Sequence, residues 1–503
     1  MIFEVKQDLR RKARLVIGGH VVDPMGQEVF ASVMKQSSTR ILLIIAQANG
    51  LDVLTGDIGN AYLYAKTKEK IYTFCDEGFL NAGWTDSPET PAIVVQALYG
   101  LATSGNRWHA LLSDTLRSQK WRPTKGDPNV WYRRHGDMYE YIGTHTDDLI
   151  VVSKRAREIF DELEKLYIIK KIEKPSFYLG CDYFPIKKNG SDTYQIGSKT
   201  YVTEAIKRVA HVLEIDPDKI HIKNRPMADK YQPELESSPS LNDEEHSIYQ
   251  KLIGIGLWVN SIGRMDIAYA IASLSRFSAA PKKGHLEALI EVFGYLKKFP
   301  DKRIEVNSTY EQVGVLVQPE CGQESFVEQY PDAREEIPAN LPKPLGKPLK
   351  ASIWFDANHA HDKVTRRSIT GLIAMVGKTP VTWYAKRQGA IEGSTYGAEF
   401  VASKTACEEL IALRYTLRSF GVEIEGPSPI LGDNLGMMQT ISYPDAKLKK
   451  KHLSISYHLC RECVAADIAE PRKVHTGTNR ADPLTKPLGP NKIKNSNELL
   501  FIN

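Results

Sequence analysis

The chain is poor in several features. Six cysteines occur in 503 residues, mostly isolated, which excludes a disulfide framework and points to a reducing compartment. No apolar stretch approaches the roughly 20 residues of a membrane span; the longest is ILLIIAQA, 41–48. No basic-then-apolar leader opens the chain, and no internal repeat is visible. Charge of one sign is lacking too. The formal net charge is +5, a mildly basic balance that permits a nucleic-acid partner without requiring one. The remainder, 42% hydrophobic and 25% charged, is ordinary soluble-globular composition, and the length predicts two to four domains.

Charge is nonetheless patchy. KLKKKH (447–452) and RKARL (11–15) are dense in cations, while 318–336 is acidic. Each basic run reads equally as a solvated face or as a phosphate contact. Cys460 and Cys463 lie near His452 and His458, which invites a zinc reading. Zinc is not expected, because the two thiols fall one turn apart on a helix face and no matching second pair exists.

Periodicity organises the rest. A helical pattern runs from Ser37 through Ala48, and KRAREIFDELEKLY (154–167) predicts an amphipathic helix with Ile159, Leu163 and Leu166 on one face. A further helix is expected over 200–213, then a Pro- and Ser-containing connector at 224–245, then helices over 246–263 and 282–299. Trp258, His285 and Tyr295 in these helices read as packed or surface-lining. Residues 318–350, rich in Pro and Glu, are the best linker candidate. Beyond them, ASIWFDANHA predicts a strand ending in an acid, and RRSITGLIAMVGKTPVTWYAKRQ predicts two strands joined at a glycine turn. A long helix then stops at Gly421, and PILGDNLGMMQTI runs from strand into helix. This is the α/β layout of a compact nuclease domain.

Two sets of carboxylates carry the chemistry. Asp57 stands in GDIGNAYLYA, and Asp147–Asp148 in YIGTHTDDLIVVS, which reads as a hairpin with both acids at its tip. Such acids suit an octahedral divalent cation and in-line attack on a phosphate. A polar turn explains an Asp-Asp dipeptide equally well when taken alone. The second set is Asp356 (WFDAN), Glu399 (YGAEF), Asp433 (LGDNL) and Asp482 (NRADPLTK). Asp433 and Asp482 each read otherwise as helix caps, and Glu408 and Glu409 as a solvated face.

With QALYGLATSGNRWHALLSDTL and FYLGCDYF, these blocks appear in an order that resembles the reverse transcriptase of copia-type long-terminal-repeat retrotransposons, from KARLV to TNRADPLTKPL. The resemblance implies an α+β multi-domain chain: a right-handed polymerase (fingers, palm, thumb) followed by an α/β ribonuclease H-like domain. Its expected bounds are 1–223 for fingers and palm, 224–317 for a helical thumb or connection, 318–349 for a linker, 350–492 for the ribonuclease H-like domain and 493–503 for a tail. It also implies a chain that starts within the fingers region of a partial element.

Site roles follow from the same resemblance. Asp57 and Asp147 would be the main polymerase metal ligands, with Asp148 less direct because neighbours on extended backbone face opposite ways. Asp57 is preferred over Asp52 because DIGNAYLYAKTKEKIY aligns without gaps. Tyr62 would exclude a ribose 2′-hydroxyl, and Gly100 would let backbone approach template or nucleotide. Arg107 and Trp108 would fix structure. Lys170, with Lys171 as a rival, would protonate departing pyrophosphate, and Gly180 would turn near the primer end. Asp356, Glu399, Asp433 and Asp482 would form the nuclease quartet, with His452 contacting the hybrid or releasing product. His145 and Thr146, where the family has Tyr-Val, are departures that touch no metal ligand. The implied cofactor is Mg²⁺, two ions per site, with Mn²⁺ as an alternative. The implied partners are RNA template, DNA primer, RNA–DNA hybrid, dNTPs and other polyprotein products, in cytoplasmic virus-like particles or the nucleus. The alternative is a retired or co-opted copy that binds nucleic acid without polymerising.

Overall fold

The structure, a computed structural model, describes residues 2–5, 11–22, 26–75, 77–87, 89–188, 190–318, 324–448 and 450–502. Cys321 and Lys449, from the acidic and basic runs, lie outside these. The chain divides into two compact units, Met1–Lys35 with Asp52–Lys174, and Gln36–Leu51 with Pro175–Asn503. Both mix helix and sheet, as expected of an α+β multi-domain chain. Among the described residues, no helix is long and apolar enough to cross a membrane.

In the first unit the elements used below are β1 (Asp52–Ile58), β2 (Lys66–Phe74), β3 (Pro91–Gln96), α1 (Ser104–Ser118), β4 (Arg122–Pro123), β5 (Val130–His135), β6 (Met138–His145), β7 (Asp148–Ser153), α2 (Ala156–Glu164) and β8 (Ile169–Glu173). Six strands form an antiparallel sheet in the order β8-β1-β7-β6-β5-β4. Trp108, Leu112 and Leu116 of α1, with Ile159, Phe160 and Leu163 of α2, bury against Ile142, Leu149 and Val151. A side chain at Gly56 would meet the Phe160 ring at 2.7 Å, so glycine lets α2 settle on the sheet. The predicted amphipathic face needs one correction. Leu166 lies past the end of α2 and is exposed, and Phe160 takes the third apolar position.

The second unit contains β9 (Phe177–Tyr178), β10 (Cys181–Lys188), β11 (Ser191–Gly197), α3 (Lys199–Val212), α4 (Asp243–Ser261), α5 (Ala268–Ser275), α6 (Lys283–Lys298), β12 (Arg303–Glu305) and β13 (Val315–Leu316). After these come β14 (Ala351–Asn358), β15 (Ile369–Val376), β16 (Thr379–Arg387), α7 (Thr395–Ser419), β17 (Ser428–Gly432), α8 (Leu435–Ser442), α9 (Ser454–Ala465), β18 (Ala469–Lys473) and α10 (Pro490–Leu500). Helices α3 to α6 share one apolar core, in which Tyr295 is fully buried. His285 is buried as well, while Trp258 keeps 38% of its surface exposed. The larger sheet has the order β13-β18-β17-β14-β15-β16, with β14, β17 and β18 parallel and the other pairs antiparallel.

Three features of this architecture bear on the expected boundaries. The Gln36–Asn49 helix belongs to the second unit, where Arg40 donates to the Val381 carbonyl at 3.0 Å and stacks over Trp383. The first compact unit ends at Lys174, inside the expected 1–223 stretch, because β10 and β11 pair onward to β12. The expected tail forms α10, with Ile493 and Leu500 buried.

Within the expected linker, residues 324–336 form a bound strap. Buried Arg461 donates to Gln329 at 2.7 Å, to the Tyr330 hydroxyl at 3.1 Å and to the carbonyls of Thr440, Tyr443 and Pro444. Arg414 and Arg418 both donate to Glu335. Sequence periodicity misses such a segment because arginine forks, rather than an apolar stripe, hold it down. Arg461→Met should therefore lower stability by roughly 3 kcal/mol or more by stranding buried carbonyls. An unchanged melting temperature for that variant would refute this account of the strap.

Candidate active site

The first acid cluster is built by strand register. β6 and β7 join through a two-residue turn, Thr146–Asp147, with Thr146 at φ +59°. Asp148 opens β7 and pairs directly across from both His145 and Asp57, and Asp57 pairs in turn with Lys170 on β8. Directly opposed residues in an antiparallel sheet project to the same face. A transverse row Lys170–Asp57–Asp148–His145 therefore crosses four strands, on the face away from α1 and α2.

Asp148 is thus not turned away from Asp57, contrary to the expectation from alternation along one strand. Its pKa is pushed up to about 7 by burial first, then by the charges of Asp147 and Asp57. Asp147 sits at the turn, where its carbonyl accepts from the Ile58 amide at 2.8 Å. Its charge, after burial, raises the pKa of Tyr62. The rival Asp52 starts β1 and pairs with Ser153, at the opposite end of the strand. His145 is also nearer than expected: it faces Asp148 across the sheet, and burial lowers its pKa against the pull of Asp147.

Of the expected substrate residues, Lys170 belongs to this row and Tyr62 lies within reach of the Asp147 charge. Tyr62 is half-buried on a short 3-10 helix, its ring 5.1 Å from that of Tyr99. The Lys170 ammonium reaches over Gly59, two residues beyond Asp57, whereas Lys171 sits at a bulge with φ +55°. Gly100 has φ +93°, and a side chain there would strike the Ile17 carbonyl; the close approach it permits is to the chain's own backbone. Gly180 lies in the second unit, turning β9 into β10 with Leu179, both at positive φ. Trp108 does fix structure. Its indole N–H donates to the Thr146 carbonyl at 2.7 Å and so anchors the hairpin tip.

The second cluster stands at the carboxyl ends of parallel strands. Ile353–Ile430 and Trp354–Leu431 pairing sets Asp356 beside Asp433, which directly follows β17. Glu399 enters from the first turns of α7, which Ser394 caps. Ligand-type oxygens of Asp356, Glu399 and Asp433 all lie within 4.8 Å of one another; among the described residues no other group of three His, Cys, Asp or Glu side chains is so tightly gathered. Asn434, not Asp433, caps α8, so Asp433 is left to the cluster. Burial, then Asp356 and Asp433, hold the Glu399 pKa well above the ordinary range. Burial also pushes Asp356 up to about 6, although Thr485 donates to it at 2.7 Å. Asp482 adds its charge at Asp356 and is itself hydrogen-bonded by Lys486.

His452 is fastened beside the start of α7, 3.0 Å from buried Glu392, and Lys450 donates to Ser394 at 2.5 Å. Cys407, Cys460 and Cys463 are buried thiols, and His458 lies 3.0 Å from the Tyr330 hydroxyl. The second acid cluster could hold a metal ion. Glu399 Oε2 is a buried oxygen without a hydrogen-bond partner, and the donors around it are carboxylates, which match Mg²⁺ or Mn²⁺.

Raised carboxyl pKa values carry a stability consequence. Unfolded Asp titrates near pH 4, so the folded state holds protons that the unfolded state has released. The contribution of Asp148 is full below about pH 4 and is lost as pH rises through about 7. In EDTA, Asp148→Asn should stabilise the protein at pH 8, by on the order of 1–3 kcal/mol after allowance for solvent screening, and leave it unchanged at pH 4. Equal thermal shifts at the two pH values would contradict the assignment.

Sequence reasoning missed four participants. Thr485 and Lys486 are written in TNRADPLTK, where a lysine four residues after an acid is the available signal. That His145 stands beside Asp148 is a matter of register. The fourth is the outer face of the β2–β3 hairpin, where Lys66, Lys68, Lys70, Tyr72 and Phe74 are all exposed, with Ile93 and Val95 opposite. The alternation in KTKEKIYTF would have revealed it.

Residues 2–218 match the family described as "Reverse transcriptase (RNA-dependent DNA polymerase)". The first acid row falls inside that stretch, and the chain's resemblance to copia-type retrotransposon Pol polyproteins holds over most of its length. The "Retrovirus-related Pol polyprotein from transposon RE1" of Arabidopsis thaliana is 25% identical over 491 residues, 97% of this chain and 30% of that protein. The corresponding polyprotein from transposon TNT 1-94 of Nicotiana tabacum is 24% identical over 522 residues, 99% of this chain and 35% of that protein. The "Putative transposon Ty5-1 protein YCL074W" of Saccharomyces cerevisiae is 25% identical over 70% of this chain and 99% of its own length. The chain spans about a third of the length of the two plant relatives. A foamy viral protease-reverse transcriptase solved in complex with dsDNA aligns over 84% of this chain and 68% of its own at 12% identity, with a TM-score of 0.18, too low to define a shared fold.

Proposed function

We propose that the chain is an RNA-directed DNA polymerase with a ribonuclease H activity, working from the two acid clusters. The observation that carries the polymerase reading is the cross-strand pairing of Asp57 with Asp148, beside a turn holding Asp147, within the stretch that matches the reverse transcriptase family. Asp57, Asp147 and Asp148 would hold divalent metal, which supplies Lewis acidity and a more acidic attacking hydroxyl. The chain's own groups do the remainder. Tyr62, braced by Tyr99, would reject a ribose 2′-hydroxyl by steric exclusion. Lys170, at the end of the acid row, would neutralise and protonate departing pyrophosphate. The lysines and aromatics on the outer face of β2–β3 support a nucleic-acid substrate, since they offer both phosphate contacts and stacking surfaces.

In the second unit, Asp356, Glu399, Asp433 and Asp482 would hold metal against an RNA phosphate and activate a water. The reading rests on carboxylates gathered at strand ends with one buried oxygen unpartnered. His452, tied to Glu392 next to the start of α7, would contact the hybrid or assist product release. Mg²⁺ is the proposed ion, and template, primer, hybrid and dNTPs are the proposed partners. Virus-like particles or the nucleus are the proposed location.

The test is primer extension on an RNA template with dNTPs, alongside cleavage of a labelled RNA–DNA hybrid, each with and without Mg²⁺. Metal-dependent extension by the full chain is expected. Binding of template–primer without any extension would favour the rival reading, a nucleic-acid-binding protein of retroelement origin.

A further inference from the structure

The second cluster contains a cation of its own. Lys486 donates to Asp482, four residues earlier, and the two flank a 3-10 turn, Asp482–Leu484. On an exposed helix this spacing would be ordinary charge pairing. Here three more carboxylates lie within electrostatic reach: the Lys486 charge acts on Asp356 and Glu399, and Asp433 acts on Lys486. The neighbouring Thr485 hydroxyl donates to Asp356 at 2.7 Å, and Asn479 donates to the Phe355 carbonyl at 2.9 Å. The segment carrying Asp482 and Lys486 is therefore pinned to β14, the strand that supplies Asp356. Within the same cluster Glu399 Oε2 has no hydrogen-bond partner, although Glu399 is only 3% exposed. The four acids are thus unequally provided for. Asp482 has an ammonium, while Glu399 keeps an open buried oxygen.

We propose that Lys486 is a tethered cation holding the second ion position of this cluster, so that the resting site takes one divalent ion at Asp356, Glu399 and Asp433, and a second binds only by displacing the ammonium from Asp482. This rests on the reading of the cluster as a metal site. Lys486 is a positioning residue: it sets how many ions are bound and leaves the attack on phosphate to others. A primary amine on a flexible stem suits the role, because it can swing off Asp482 without disturbing Thr485 or Asp356.

The experiment is Mn²⁺ titration by calorimetry of the full chain carrying Asp57→Asn and Asp147→Asn, which suppress the other cluster. The parent should bind one ion tightly and a second weakly. Lys486→Met should tighten the second ion by about tenfold or more, since the competing charge is gone, while Lys486→Arg keeps the parent pattern. In EDTA, Lys486→Met should also melt below the parent and gain more from Mn²⁺. Lys486→Gln carries the same expectations should the methionine variant fail to fold. Equal second-ion affinity in parent and Lys486→Gln overturns the proposal with the metal reading intact. If the parent binds no ion that Asp433→Asn removes, the metal reading itself fails and takes this inference with it.

Discussion

Asp147→Asn should reduce primer extension by at least about a thousandfold, and Asp57→Asn should do the same, with hybrid cleavage untouched in both. The size follows from the chemistry. Phosphoryl transfer leaves the protein little to do beyond positioning and charge stabilisation, so a lost ligand removes much of the rate enhancement. The direction of the stability change separates this from unfolding. Asp57 and Asp147 both press charge on Asp148, so either amide relieves repulsion, and the metal-free variants should melt no lower than the parent. Lost extension with a lowered melting temperature would mean that the acids shape the hairpin rather than hold an ion. Trp108 offers the converse test. Its indole N–H donates to the Thr146 carbonyl at the hairpin tip, so Trp108→Phe should weaken extension without abolishing it.

Local chemistry was legible in the sequence where it is local in cause. The β6–β7 hairpin, the Gly377 turn between β15 and β16, and the stop of α7 at Gly421 are all written in neighbouring residues. So was the grouping of Asp356, Glu399 and Asp433, because each sits in a distinctive short block. What escaped depends on pairing between distant segments. That Asp148 faces Asp57 is a property of the register between β1 and β7, and alternation along one strand points the wrong way. The transfer of the Gln36–Asn49 helix to the second unit hangs on Arg40 reaching Val381. The strap over 324–336 reads as a linker because its anchors are Arg414, Arg418 and Arg461, which sequence patterns count as surface charge.

Asp433→Asn should abolish hybrid cleavage, again by a thousandfold or more, while primer extension continues at the parental rate. The two activities are expected to part cleanly because the clusters belong to different compact units, with Asp57, Asp147 and Asp148 in one and Asp356, Glu399, Asp433 and Asp482 in the other. Glu399→Gln should match it in activity and differ in stability. Burial and two neighbouring carboxylates already hold Glu399 toward its protonated form, so an amide changes little in metal-free protein at low pH and relieves repulsion at high pH. Mg²⁺ should raise the melting temperature of the parent through this cluster and do so far less in either variant, because an ion that binds only the folded state stabilises it by mass action. An Asp433→Asn protein that still cleaves hybrid would place the nuclease chemistry elsewhere. Loss of extension together with cleavage would show that the two units do not act separately.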